Sequence, residues 1–131
     1  MQLLDDEMCF ACGKKNEQGL KLSFTQDKDG VARAFFTPEK KYQGWNGILH
    51  GGIISTLLDE AMAQAAAAKG LKTVTIKLNI QFKKPAIIGE KILLEGSIKD
   101  DSKKIVHSEA ILKREDGTIL ALAQGKLVKR K

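Results

Sequence analysis

The sequence predicts a single α+β domain in which a curved antiparallel sheet surrounds one long helix. The chain has 131 residues, of which 43% are hydrophobic and 29% charged, and this is the size and composition of one ordinary globular domain. One segment has helical periodicity, with two strand-like segments before it and four after it. One helix cannot cover a flat sheet of six strands, whereas a curved sheet can wrap around it. We therefore treat residues 1–131 as one domain.

The chain starts with an irregular segment that leads into a hairpin. Residues 1–19 have no period and contain both cysteines. Residues 20–25 alternate between apolar and polar side chains, which predicts a strand. Asp29-Gly30 is a turn signal, and residues 31–37 are the predicted partner strand.

A loop and the predicted helix follow. Residues 40–49 have no period and carry the only Tyr and the only Trp of the chain, a composition typical of recognition loops. Apolar residues at helical spacing predict the helix over residues 51–69, and Gly70 provides its C-terminal stop. The apolar stripe of this helix consists of Ile53, Ile54, Leu57, Leu58, Ala61 and Ala65.

Every later element is a predicted strand. Residues 74–82 alternate strictly, which predicts a half-buried strand with its apolar side chains on one face and Thr75 on the other. Short turn signals separate the remaining segments. Three further strands are predicted over residues 91–99, 104–114 and 118–128.

The charge of the chain is unevenly distributed. Residues 1–68 have a net charge of −2 and residues 69–131 a net charge of +8, which suits an anionic partner such as a phosphorylated ligand. The basic half holds one aromatic residue, Phe82, so it lacks the stacking surface of a nucleic-acid site. The chain has no apolar run of membrane-helix length, and its first residues lack the basic start and the apolar run of a signal peptide. We expect a cytoplasmic protein without a nucleic-acid or membrane partner.

The entry into the helix is the first candidate site. Gly51 and Gly52 permit close backbone approach and leave N-terminal amides open, and such amides favour an anion or a developing oxyanion. Spacing alone leaves open whether the two glycines only allow a tight turn. His50 is either a general base or, as we favour, a residue that orients this turn through a backbone hydrogen bond.

The two acids of the helix, Asp59 and Glu60, lie on different faces at 100° per residue. Small side chains surround Asp59, so its carboxylate can face a ligand or another subunit at close range. An exposed, solvated Asp59 is the alternative. The helix has few other charges and is expected to be buried on most sides, which favours the functional interpretation.

Cys9 and Cys12 form a Cys-x-x-Cys pair before the first strand. A four-cysteine zinc site needs a second pair, which only a second chain could supply. A thioredoxin-type motif opens a helix after a strand, and this pair does not. We therefore expect two free thiols in an N-terminal turn, with no metal and no cofactor.

Residues 50–61 resemble the signature of hotdog-fold acyl-CoA thioesterases of the PaaI-like (phenylacetate-pathway) group. That signature is His-Gly-Gly, four variable residues, Leu, one variable residue and Asp. Residues 42–48, residues 78–85 and the cysteine-containing N-terminal segment are also similar to this family. The resemblance extends from about residue 9 to residue 128, and it implies the hotdog fold, in which the sheet wraps around the central helix.

The resemblance also implies an activity and a set of residues. It implies hydrolysis of an acyl-CoA thioester without a cofactor, by a homodimer or homotetramer with its sites at the subunit interface. Asp59 matches the catalytic carboxylate, as base or nucleophile. The Gly51 amide matches the oxyanion donor in the turn formed with His50 and Gly52. Thr75 matches a residue that assists from the strand after the helix, in the partner chain.

The chain departs from the family at one position. Many members have an Asn six residues before the His, where this chain has Gly44, and Asn46 is the candidate substitute for substrate binding. Lys83 and Lys84 are candidate contacts for the CoA phosphates. The alternative function is a non-catalytic hotdog module that binds acyl-CoA or serves in assembly. The missing Asn favours that alternative, and the retained Asp59 argues against it.

Overall fold

The structure is a computed structural model that describes residues 2–130. Within this range the chain forms one α-helix, one short 3-10 helix at Lys40–Tyr42 and six strands. No helix of the described range is long and apolar enough to cross a membrane. The main elements are β1 (Thr25–Gln26), β2 (Ala32–Phe36), α1 (Gly51–Ala67), β3 (Lys72–Phe82), β4 (Ile92–Asp101), β5 (Ile105–Arg114) and β6 (Ile119–Arg130).

The six strands form one antiparallel sheet in the order β1-β2-β4-β5-β6-β3. The single helix contacts every strand from β2 to β6, so the sheet curves around it. The predicted α+β class and the arrangement of a curved sheet around one helix are therefore confirmed.

The core lies between α1 and the concave face of the sheet. Its largest fully buried side chains include Leu57, Leu58 and Met62 from α1 and Leu94, Leu112 and Leu127 from the sheet. The helix approaches the sheet closely at Gly96, where an added Cβ would lie 2.1 Å from the carbonyl oxygen of Ala61. The helix ends at Ala67, two residues before its predicted end, and Gly70 adopts the left-handed φ of 78° that favours glycine.

The strand predicted over residues 20–25 is wrong in its first part, since β1 begins only at Thr25. The Leu20 and Leu22 amides instead donate to the carbonyls of Phe10 and Ala11, at 2.8 and 2.9 Å. Residues 20–22 therefore pair with the N-terminal segment and attach it to the domain. Alternation along one segment cannot identify such a partner, because the partner has no alternation of its own.

For the first half of β3, the sequence predicts the wrong side chains to point toward the core. A β-bulge between Thr75 and Lys77 inserts Ile76 as an extra residue and reverses which side chains face α1. Before the bulge, Thr75 faces α1 and Ile76 is 56% exposed. After the bulge the apolar residues turn toward the helix side, and Phe82 packs against Gly51 at the start of α1.

Candidate functional site

The start of α1 is held by backbone hydrogen bonds from three directions. The His50 amide donates to the Tyr42 carbonyl at 3.0 Å, and the Leu49 amide donates to the Ala86 carbonyl at 2.9 Å. The loop before them is closed by a bond of 2.9 Å from the Ile48 amide to the Trp45 carbonyl. The backbone at the helix entry is thus fixed before any ligand binds.

His50 is the N-cap residue of α1. Its Nδ1 accepts a hydrogen bond of 2.8 Å from the Gly52 amide, so this nitrogen carries no proton and the other ring nitrogen is the donor. This is the kind of orienting hydrogen bond favoured above for His50. A Cβ at Gly52 would lie only 3.0 Å from the same Nδ1, so the second glycine of the motif provides space for the cap.

One amide at the helix start remains available. The Ile53 and Ile54 amides both donate to the His50 carbonyl, at 3.0 and 3.1 Å. The Gly51 amide has no acceptor within residues 2–130. Gly51 lines a cleft of about 530 Å³. The cleft is lined by Gly44, Trp45, Ile48, Leu49, His50 and Gly51.

The candidate substrate-binding residues lie at different places relative to this cleft. Phe82, the residue before the two candidate lysines, lies beside the helix start, since its Cε1 is 3.6 Å from where a Cβ on Gly51 would be. Lys83 and Lys84 follow directly and are exposed. Asn46 lies in an exposed turn and is not among the residues that line the cleft.

Asp59 and Thr75 form a pair within one chain. The Thr75 hydroxyl Oγ1 donates to Asp59 Oδ1 at 2.6 Å, in a partly buried position. The prediction that Thr75 meets Asp59 from the partner chain is therefore wrong, because this hydrogen bond lies within one chain. That Thr75 lies near the helix start of the partner stays a prediction. The bulge at Ile76 turns Thr75 toward the helix of its own chain, and the sequence pattern gave no sign of that bulge.

Gly51 and Asp59 of one chain lie far apart. They are eight residues apart on α1, which is about 12 Å of helix rise. The Asp59 side chain tilts back toward the helix start, but it is too short to close this gap. One small carbonyl group cannot contact both residues of the same chain.

A second cluster lies on another side of α1. The ligand atoms of Cys9, Cys12 and Glu60 all lie within 4.8 Å of one another. Burial, together with the neighbouring Glu60 carboxylate, holds the pKa of the Cys12 thiol well above its usual range. The sequence identified the two cysteines, but it could not show that Glu60 lies beside them.

Comparison with protein families shows a match to a family described as the thioesterase superfamily, over residues 46–121. Mouse acyl-coenzyme A thioesterase 13 is 31% identical over 93 residues, which cover 70% of this chain and 66% of that protein. A protein of Archaeoglobus fulgidus that carries an esterase name is 30% identical over 98 residues, which cover 75% of this chain and 64% of that protein. The chain thus spans slightly less than two thirds of the length of these relatives.

Solved structures with the same fold are also similar. A thioesterase superfamily protein superposes with a TM-score of 0.87 at 23% identity, over 97% of this chain and 70% of the other. The Escherichia coli PaaI protein of the phenylacetic acid degradation operon gives 0.79 at 21% identity, over 86% and 81%. A Streptococcus mutans protein bound to acetyl-CoA gives 0.78 at 19% identity, over 83% and 88%.

Proposed function

Because the chain belongs to the thioesterase superfamily, we propose that it hydrolyses an acyl-CoA thioester to the free acid and CoA. The observation that carries this proposal is the free Gly51 amide at the start of α1, on the same helix as the Asp59–Thr75 pair. An open amide suits a developing oxyanion, and a positioned carboxylate suits a base or a nucleophile.

The proposed reaction assigns one task to each group. The thioester carbonyl oxygen accepts a hydrogen bond from the Gly51 amide. Asp59 either takes a proton from the attacking water or attacks the carbonyl carbon itself. The carbon–sulfur bond then breaks, and the CoA thiolate leaves and takes up a proton. In the second route, water hydrolyses the resulting acyl–Asp59 anhydride and regenerates the carboxylate.

Two chains must contribute to each site, because Gly51 and Asp59 of one chain are too far apart. β3 is an edge strand and pairs only with β6 among the described residues. An uncovered edge of this length favours pairing with a second chain. Four of its apolar side chains are exposed by at least 37%, and these are Val74, Ile76, Leu78 and Phe82.

Antiparallel pairing of β3 with its copy brings the separated groups together. Thr75 lies beside Asp59, and Phe82 lies beside Gly51. A two-fold axis at Asn79 sets this residue opposite its own copy. Because the bulge makes Ile76 an extra residue, Thr75 then lies opposite the partner's Phe82, so Asp59 of one chain approaches the helix start of the other. We propose two such composite sites per homodimer, which can pair further into a homotetramer.

We expect light scattering at micromolar concentration to give a mass of two or four chains of 14.4 kDa. The physical reason is the apolar, unpaired edge of β3. Replacing Ile76 with Lys at this edge should shift the protein toward the monomer and lower its activity together with the dimer fraction. A wild-type monomer that hydrolyses acyl-CoA at full rate would contradict the composite site.

The CoA part of the substrate is proposed from two observations. The S. mutans protein of the same fold was solved with acetyl-CoA bound. In this chain, Lys83 and Lys84 follow Phe82 at the rim of the helix start and are exposed. Two ammonium groups there suit the phosphates of CoA.

The direct test is a panel of acyl-CoAs with short, long and aromatic acyl groups, assayed by the release of free CoA thiol. Hydrolysis of at least one member supports the proposal. The alternative, a non-catalytic acyl-CoA-binding module, is favoured by Gly44 and by the position of Asn46 outside the cleft. Binding of acyl-CoA by calorimetry without thiol release from any member would establish that alternative.

Thr75 is proposed as a positioning residue, because it holds one oxygen of Asp59 at 2.6 Å. Thr75→Ala should lower turnover roughly 10- to 100-fold, the loss typical of one positioned hydrogen bond. Thr75→Ser keeps the hydroxyl and should restore most of the rate. The matched control is Thr73→Ala on the same strand. Equal losses in Thr75→Ala and Thr75→Ser would show that packing, and not the hydrogen bond, is what matters.

A further inference from the structure

The N-terminal segment carries a cluster that thioester hydrolysis does not use. It consists of Cys9 and Cys12 from one turn and Glu60 from α1, with their ligand atoms within 4.8 Å of one another. We propose that this Cys–Cys–Glu cluster binds one Zn²⁺ per chain. The proposal is independent of the thioesterase activity, because the proposed hydrolysis assigns no task to these three residues.

The spacing of the three ligand atoms suits a tetrahedral ion. Zn–S bonds of about 2.3 Å and Zn–O bonds of about 2.1 Å place tetrahedral ligand atoms roughly 3.5–3.8 Å apart. From separations of at most 4.8 Å, the cluster therefore needs to contract by about 1 Å. We expect rotation of the three side chains to provide this contraction.

The cysteine turn is ordered by the protein itself. The Gly13 amide donates to the Cys9 carbonyl at 2.8 Å, and a Cβ on Gly13 would lie 2.4 Å from the Cys9 amide nitrogen. This turn is therefore possible only with glycine after the second cysteine. Ala11, between the two cysteines, is buried, and its carbonyl accepts from the Leu22 amide at 2.9 Å. The chain thus positions both thiols without a metal.

The carboxylate is also oriented. Glu60 Oε2 accepts a hydrogen bond of 2.8 Å from Gln64 Nε2, one turn further along α1. This leaves Oε1 free to act as a ligand. Carboxylates that bind metal ions are commonly held by such a neighbouring hydrogen bond, and Gln64 supplies it here.

The donor set selects the ion. Two thiolates disfavour Mg²⁺ and Ca²⁺, which prefer oxygen ligands. The carboxylate disfavours Cu(I), and two cysteines are too few for an iron–sulfur cluster. Zn²⁺ accepts sulfur and oxygen ligands together. Because Cys9 is exposed, water can occupy the fourth position.

The ion would act as a structural clamp. It would join residues 9–12 to the middle of α1, where Glu60 is next to Asp59 in sequence but faces a different side of the helix. Two cysteines alone could not form this site. The third ligand comes from a residue 48 positions further along the chain, which is why the sequence predicts no metal.

The test uses the full chain without an affinity tag, kept reduced and stripped with a chelator. Zn²⁺ titration against a chromogenic chelator, with elemental analysis, should give one ion per chain and a raised melting temperature. Co²⁺ should produce thiolate-to-metal charge-transfer bands. We expect each of the three ligand variants to weaken Zn²⁺ binding by more than roughly 10- to 100-fold, the loss typical of removing a residue that only hydrogen-bonds to a metal ligand. The variants are Cys9→Ser, Cys12→Ser and Glu60→Gln.

Glu17→Gln is the matched control, since Glu17 is an exposed acid of the same segment and should leave Zn²⁺ affinity unchanged. Gln64→Leu should weaken binding roughly 10-fold or more through Glu60. Three results would overturn the proposal. The first is that the reduced wild-type chain binds no stoichiometric Zn²⁺. The second is a stoichiometry of one ion per two chains, which would indicate a site made of cysteine pairs from two chains. The third is a Glu60→Gln variant that binds Zn²⁺ with wild-type affinity. The result is independent of whether acyl-CoA is hydrolysed.

Discussion

Asp59→Asn should lower the turnover of acyl-CoA hydrolysis by two orders of magnitude or more while the fold is retained. The amide has the size of the carboxylate, but it can neither take a proton from water nor attack the thioester. Its oxygen can still accept the 2.6 Å hydrogen bond from Thr75, so the contact between α1 and β3 remains. Thiol release under saturating substrate measures the loss, and circular dichroism with a melting curve checks the fold.

Glu60→Gln is the matched comparison for Asp59→Asn, because it neutralises the neighbouring acid on a different side of the same helix. It should cost much less activity, since Glu60 faces Cys12 and Gln64 and not β3. An active Asp59→Asn together with an inactive Glu60→Gln would show that the catalytic carboxylate is misassigned. Single-turnover hydrolysis in ¹⁸O-labelled water can identify the nucleophilic route, because ¹⁸O enters the Asp59 side chain only when water attacks the Asp59 carbonyl of the anhydride.

Most of the fold follows from local patterns in the sequence. Helical spacing with a glycine entry locates α1 to the residue at its start, and alternation with turn signals locates β4, β5 and β6 within two residues at each end. These elements are long and have one buried face, so the pattern of each segment is sufficient. The pattern of residues 20–22 is not sufficient to predict their structure, because their hydrogen-bond partner is an irregular turn at residues 10–11.

The site is only partly predictable for a related reason. Gly51 and Asp59 lie in one short motif, so the sequence identifies both. The side chain that contacts Asp59 depends on the bulge at Ile76, and one extra residue in a strand reverses every side chain after it. Glu60 meets Cys12 through tertiary packing. No spacing rule connects residues so far apart in the chain.

Gly51→Pro should lower turnover roughly 100- to 1000-fold, the loss expected when one oxyanion donor is removed. Proline has no N–H, and the Gly51 amide has no partner to lose within residues 2–130. Proline is favoured at the first position of a helix, and His50 before it has the extended φ and ψ of −61° and 134° that proline requires. The variant therefore removes the donor and leaves the helix intact.

Gly51→Ala is the control for Gly51→Pro, because it keeps the N–H and adds only a Cβ, at an ordinary contact distance of 3.6 Å from Phe82. It should retain most of the activity. Equal losses in the two variants would show that space at the helix start, and not the amide hydrogen, is what the reaction requires.

Mixing two inactive variants tests whether Gly51 and Asp59 meet across the dimer. A mixed dimer of Asp59→Asn and Gly51→Pro chains holds one site with both groups intact, so an equal mixture should recover about a quarter of wild-type activity. Asp59→Asn mixed with Thr75→Ala should recover nothing beyond the residual rate of Thr75→Ala, because Asp59 and Thr75 belong to the same chain. Recovery in the second mixture and none in the first, with subunit exchange confirmed by mass spectrometry, would reverse the assignment. Thr75 would then act across the interface, and Gly51 would act on the same chain as Asp59.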